Sequence, residues 1–202
     1  MRPTTRRESL AGPAGRIECA IDIPAEPPRG LALIAHPHPL FGGTLDNKVV
    51  QTLARALLEQ SYVALRPNFR GVGASEGSHD QGRGEVDDLA AALAWGQREF
   101  GQLPLALAGF SFGAAMQARL AQRTAPHRLL LVGVAVDSFE VPPVPEGTLV
   151  VHGERDETVP LTAVLDWARP QELPVTVVPG ADHFFHRKLQ VLRGIVRHNW
   201  GA

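Results

Sequence analysis

The stretch Leu105-Ala106-Leu107-Ala108-Gly109-Phe110-Ser111-Phe112-Gly113-Ala114-Ala115-Met116-Gln117-Ala118 decides how the rest of the chain reads. An aliphatic run of strand character meets a serine with glycine two positions before and two after, and small residues of helical character follow. A serine that projects from a sharp strand-to-helix turn needs that spacing. Larger side chains at either glycine would collide with neighbouring backbone, and the strained turn tolerates little bulk. Ala114 and Ala115 let the helix lie close to a sheet. The reading places the Ser111 hydroxyl above a strand end, beside a helix N-terminus.

Outward from this turn the same alternation recurs. Apolar runs at Leu31–Ala35, Tyr62–Leu65, Leu105–Ala108, Leu129–Val136, Thr148–Val151 and Val175–Val178 are nearly continuous, without apolar–polar alternation. That pattern marks strands covered on both faces, as in parallel sheets. Between them lie helical stripes at Val49, Leu53 and Leu57, at Val86, Leu89 and Leu93, and at Phe185, Leu189, Leu192 and Val196. Asp87 and Asp88 are expected in the first turn of the second stripe, where the helix dipole favours negative charge. The segment Arg16–Ile23 is read as an antiparallel edge strand. The expectation is one α/β domain over residues 1–202, with a mostly parallel sheet of about seven strands flanked by helices. Asp137–Glu146 holds Pro142, Pro143 and Pro145 and is too short for a helical insertion, so no cap domain is expected.

Composition narrows the partners. With 44% hydrophobic residues in 202, the chain can bury a sizeable core. The formal net charge of −1 supplies no electrostatic footprint for nucleic acid or an anionic membrane. The single cysteine, Cys19, excludes an intrachain disulfide and is read as a packing residue. Arg6 and Arg7 are followed by no apolar run, and no stretch is long enough to span a bilayer, so a cytoplasmic location is expected.

A serine hydroxyl needs a base and an orienting acid. After Thr148–Val151 comes His152-Gly-Glu-Arg-Asp156-Glu-Thr-Val-Pro160, and after Val175–Val178 comes Pro179-Gly-Ala-Asp-His183-Phe-Phe185. Asp156 and His183 thus leave the carboxyl ends of successive strands, on the same edge as Ser111. Asp137, at another strand end, is a rival acid, Glu154 a weaker one, and Asp182 is read as shaping the His183 loop.

These three motifs resemble those of the α/β-hydrolase superfamily. Asn68-Phe-Arg-Gly-Val-Gly-Ala-Ser-Glu-Gly77 resembles its loop after the fourth strand. His36-Pro-His-Pro-Leu-Phe-Gly-Gly43 resembles a narrower group of small lidless serine hydrolases. The likeness spans Arg16 to Trp200 and implies the α/β-hydrolase fold, with Ser111 as nucleophile, Asp156 as acid and His183 as base. One oxyanion donor is expected to be the N–H of Phe112. The second comes from the loop after Leu31–Ala35, where Pro37 and Pro39 have no N–H, leaving His38 or Leu40. His38 is favoured, because it occupies the place of the donor in relatives.

The expected chemistry is hydrolysis of small, accessible carboxylic esters at an open site, with no cofactor. A thioester, lactone or small amide would suit the same residues. A catalytically silent binding protein is the reading from another class, opposed by the complete Ser, Asp and His set. A zinc set from His36, His38 and His152 or His186 is set aside, because the prolines stiffen that loop and no carboxylate pair or cysteine completes a site. Gly71-Val72-Gly73 lacks the full dinucleotide fingerprint and is read as a loop. Trp95, Trp167 and Trp200 are read as packing residues.

Overall fold

The computed structural model describes residues 2–200. Eight strands form one sheet: β1 (Thr4–Gly12), β2 (Gly15–Ile23), β3 (Gly30–Ala35), β4 (Tyr62–Pro67), β5 (Leu105–Phe110), β6 (Arg128–Val132), β7 (Leu149–Gly153) and β8 (Val175–Val178). Among the described residues four α-helices lie between strands, α1 (Lys48–Leu58), α2 (Arg83–Phe100), α3 (Phe112–Thr124) and α4 (Leu161–Ala168), and α5 (Leu189–Trp200) follows β8. The spatial order is β1-β2-β4-β3-β5-β6-β7-β8. Strands from β4 to β8 run parallel, whereas β2 is antiparallel to both β1 and β4.

Side-chain alternation explains the layers. On β3, Leu31, Leu33 and Ala35 face α2 and α3, whereas Ala32 and Ile34 face α1 and α5. On β5, Leu107 joins the first layer, and Ala106, Ala108 and Phe110 the second. Both faces are apolar because both are covered.

Four expectations need correction. Arg16–Ile23 does form the antiparallel strand, but β1 pairs along its whole length and takes the edge. In β1 only Leu10 is fully buried, so its strand signal is faint, and Arg6, Arg7 and Glu8 keep the edge charged. The apolar run to Val136 ends as strand at Val132, because Gly133 turns the chain with φ +53°. Phe185 is buried but precedes α5, with φ +53°. Finally, α2 begins at Arg83, so Glu85 occupies its first turn. Asp88 is buried one turn later, held by two hydrogen bonds of 2.8 Å from the Arg70 guanidinium, and Asp87 pairs with Arg123.

The connection from β6 to β7 carries no helix, so no helical insertion caps the carboxyl ends of the strands there. Leaving β3, the chain passes through α1 to β4 on one side. It then crosses by α2 to β5 on the other side. The loops after β3 and β5 therefore diverge at a switch point, the place where open α/β sheets bind their ligands.

Candidate active site

Ser111 stands at that switch point, between β5 and α3, with φ +56° and ψ −117°. This conformation is rare for a residue with a side chain and persists only where surrounding structure imposes it. Its N–H donates to Val132 O at 2.9 Å, and its own carbonyl accepts from Ala114 and Ala115 N–H. The two flanking glycines are dictated by backbone. A Cβ on Gly109 would lie 2.5 Å from the Gly113 carbonyl carbon, and one on Gly113 would lie 2.5 Å from His36 O.

The three residues proposed from the strand ends meet. Ser111 Oγ lies 3.0 Å from His183 Nε2, and His183 Nδ1 lies 2.7 Å from Asp156 Oδ2. The other carboxylate oxygen, Oδ1, accepts the N–H groups of Thr158 at 2.9 Å and Val159 at 2.8 Å. All three side chains are buried. Burial works against the charge on Asp156, but the hydrogen bonds from His183 and the Val159 N–H outweigh it and hold the carboxyl below its ordinary range. With the acceptor carboxylate on Nδ1, that nitrogen carries the proton and Nε2 is free to accept from the serine. The His183 ring packs against Phe110, 4.8 Å between centroids, and over Gly133.

The rival acids lie elsewhere. Asp137 is exposed and accepts from Ser138 Oγ. Glu154 accepts the N–H of Gly180 at 2.7 Å, joining the acid and base loops. Asp182 accepts both the N–H and Nδ1 of His186, so it shapes the loop as expected.

In the loop after β3, one of the two candidate N–H groups is already engaged. Leu40 N–H is taken by His38 Nδ1 at 3.2 Å, which leaves His38 N–H as the candidate. Phe112 is the first residue of α3, where an N–H has no acceptor within the helix. His36 is fully buried. Its Nε2 accepts from Phe69 N–H at 3.0 Å, so Nδ1 carries the proton and donates to Pro37 O at 2.7 Å. Burial lowers its pKa to about 4, against the opposing hydrogen bond to Pro37. Both nitrogens are thus engaged in holding the loop. Among the described residues, no group of three or more histidine, cysteine, aspartate or glutamate side chains could hold a metal ion.

Two features escaped the reading of the sequence. His152 lies behind the acid, its Nε2 2.9 Å from Val159 O and 3.5 Å from Asp156 Oδ2. Burial depresses its pKa against the opposing hydrogen bond to Val159, and its spacing of four from Asp156 was the available signal. An aromatic wall also forms beside the N–H donors. The His38 ring lies 5.0 Å from Phe112, 4.7 Å from Phe41, 5.8 Å from Phe139 and 4.8 Å from His79. These residues come from four separate segments, so no local pattern announces the wall. Trp167 Nε1 donates to Val141 O, tying α4 to the proline-rich connection.

The family model described as the α/β hydrolase fold matches residues 38–138. A lidless α/β serine hydrolase from Xanthomonas campestris has a similar crystal structure, with TM-score 0.91 and 39% identity over 96% of this chain and 93% of that one. An α/β serine hydrolase homologue from Coxiella burnetii superposes with TM-score 0.90 and 40% identity, covering 96% of each chain. An uncharacterised protein of Rickettsia prowazekii is 35% identical over 195 residues, 89% of this chain and 82% of the relative. The chain therefore belongs to the α/β-hydrolase family, in its group of small serine hydrolases without a lid.

Proposed function

We propose that this hydrolase is a carboxylesterase acting on small, accessible esters through an acyl-enzyme. The observation that carries the reading is the unbroken chain of contacts from Ser111 Oγ through His183 to Asp156, set on a strained turn at the head of α3. Ser111 Oγ attacks the ester carbonyl carbon while its proton passes to His183 Nε2. Asp156 holds the imidazole by Nδ1 and stabilises the imidazolium that forms. The carbonyl oxygen becomes an oxyanion, accepted by the N–H groups of Phe112 and His38, each worth roughly 3–4 kcal/mol in such a role. Collapse breaks the bond to the alkoxy oxygen, which leaves as the alcohol with the proton from Nε2. Water then repeats the sequence on the acyl-serine, giving the carboxylic acid and free Ser111.

The lack of a helix in the connection from β6 to β7 supports accessible rather than lipid-phase substrates, since no helical insertion there covers the strand ends. Among the described residues, no helix is long and apolar enough to cross a membrane. The reading needs a small-molecule ester and no cofactor.

The test is covalent labelling by a fluorophosphonate, followed by turnover of matched ester, thioester and anilide substrates. Labelling is expected in the wild type and absent in Ser111→Ala, with the ester turned over fastest. An unlabelled wild type without turnover would refute the hydrolytic reading. Faster turnover of the matched thioester would refute the ester assignment.

A further inference from the structure

A cavity of about 440 Å³ lies between the head of α1 and the loop that carries His183 into α5. That volume falls within the range of small-molecule sites. Its walls are Val49, Phe184 and Leu189, and Lys48, His186 and Arg187 stand around them. Phe184 links the cavity to the reacting groups. Its ring lies 5.1 Å from His183 and 5.8 Å from Phe110, yet the residue is 45% exposed.

The charge of this cavity is one-sided, because no carboxylate lines it. The nearest acid on the loop, Asp182, is engaged by His186. Lys48 and Arg187 form no ion pair among the described residues, whereas Arg193 and Arg197 on α5 are both paired with Glu59. A neighbouring hollow of about 380 Å³ that includes His183 mixes Arg155 with Glu157 and Asp182, and so has no preference for an anion.

The backbone adds an independent observation. Arg187 has φ +60°, and Phe185, two residues earlier, has φ +53°. Glycine or asparagine would take the left-handed region with less strain. The left-handed backbone sets the direction in which the Arg187 side chain leaves the loop, and strain of this kind gathers at ligand sites.

We propose that this cavity is a specificity subsite for an ester whose chain ends in a carboxylate. The methylenes of the chain would lie against Val49, Phe184 and Leu189, with the carboxylate between Lys48 and Arg187. A guanidinium suits that role because its planar fork matches a carboxylate. The inference rests on the esterase reading and adds a substrate class to it.

Matched pairs test it: monoethyl suberate against ethyl octanoate, and 6-acetoxyhexanoate against hexyl acetate. The first pair puts the carboxylate on the acyl side, the second on the alcohol side. At low ionic strength the kcat/KM ratio of anionic to neutral ester is expected to be about tenfold in favour of the anion for one pair. This is the scale of two solvent-accessible ion pairs. Added salt should shrink the ratio. Lys48→Gln with Arg187→Asn should reduce it to about twofold, asparagine being chosen because it tolerates the left-handed backbone. Lys48→Glu should invert it. A wild-type ratio at or below one for both pairs, or a ratio untouched by the double variant, would overturn the subsite.

Failure of the esterase reading is seen separately, as loss of fluorophosphonate labelling and of neutral-ester turnover. In that event, calorimetric titration of Ser111→Ala with monoethyl suberate decides the subsite. About tenfold weaker binding in the double variant sustains it, and equal binding or none overturns it.

Discussion

Gly113→Ala should disable the protein without touching any reacting atom. The new Cβ would sit 2.5 Å from the carbonyl carbon of Ala35 and from the carbonyl oxygen of His36. Non-bonded carbon atoms prefer about 3.5–4.0 Å, so β3 and α3 must separate by roughly 1 Å. Both contacts are backbone, and no side chain can swing aside. Because α3 begins at Phe112, the movement carries Ser111 with it, and the 3.0 Å approach of Oγ to His183 Nε2 opens by a similar amount. A misplacement of that size costs about a hundredfold in rate. Overpacking costs about 1–3 kcal/mol, offset by up to about 1 kcal/mol from the better helix propensity of alanine, leaving a net loss of up to about 3 kcal/mol. The control is Gly194→Ala in α5, where a Cβ meets nothing within 4 Å. It should raise stability by about 0.5–1 kcal/mol through helix propensity and the stiffer unfolded chain. Urea unfolding gives the stabilities, and the rate of fluorophosphonate labelling gives the competence of Ser111. Wild-type stability and labelling rate in Gly113→Ala would refute the claim that the glycine is required by backbone approach.

Two further predictions rest on proton positions. Asp156→Asn keeps an oxygen for the Thr158 and Val159 N–H groups, but turns an NH₂ donor toward His183 Nδ1. Nδ1 must then accept, the proton moves to Nε2, and the base is lost; kcat should fall roughly a thousand- to ten-thousandfold with stability little changed, and retention of more than a tenth of the rate would contradict the assignment. His36 is neutral in the folded state, with its pKa lowered to about 4, whereas an unfolded chain titrates near the ordinary 6.5. The unfolded state thus binds more protons, so stability is fully present above about 6.5 and drains away as pH falls toward 4, by up to roughly 3 kcal/mol. His36→Gln should flatten the fall of urea-derived stability over that window, and a slope parallel to wild type would show that His36 is not the group responsible.

Much of this protein is legible in one dimension. Continuous aliphatic runs such as Leu31–Ala35 cannot be satisfied by a half-exposed strand, so they imply a sheet covered on both faces. The two glycines around Ser111 are a local steric demand, visible before any fold is known. Strand ends followed by Asp156 and His183 place both residues on one rim, because every parallel strand finishes at the same edge.

What local pattern could not supply is whatever depends on segments far apart in the chain. The β1 strand has little apolar signature, since it buries only Leu10 and is otherwise held by pairing with β2 along its length. Asp88 looks like a dipole partner until Arg70, 18 residues earlier, is brought against it. Leu40 stood as an alternative donor until the His38 side chain turned back to take its N–H. The cavity beside Phe184 joins α1 to a loop more than 130 residues later, so its one-sided charge exists only after folding. Residue types and spacing determined the fold and the meeting of Ser111, Asp156 and His183 at one rim, because those follow from sterics and strand direction. Which N–H groups stay unengaged, which ring nitrogen carries a proton and where cavities open were decided by tertiary structure, because each depends on which groups burial leaves within hydrogen-bonding reach.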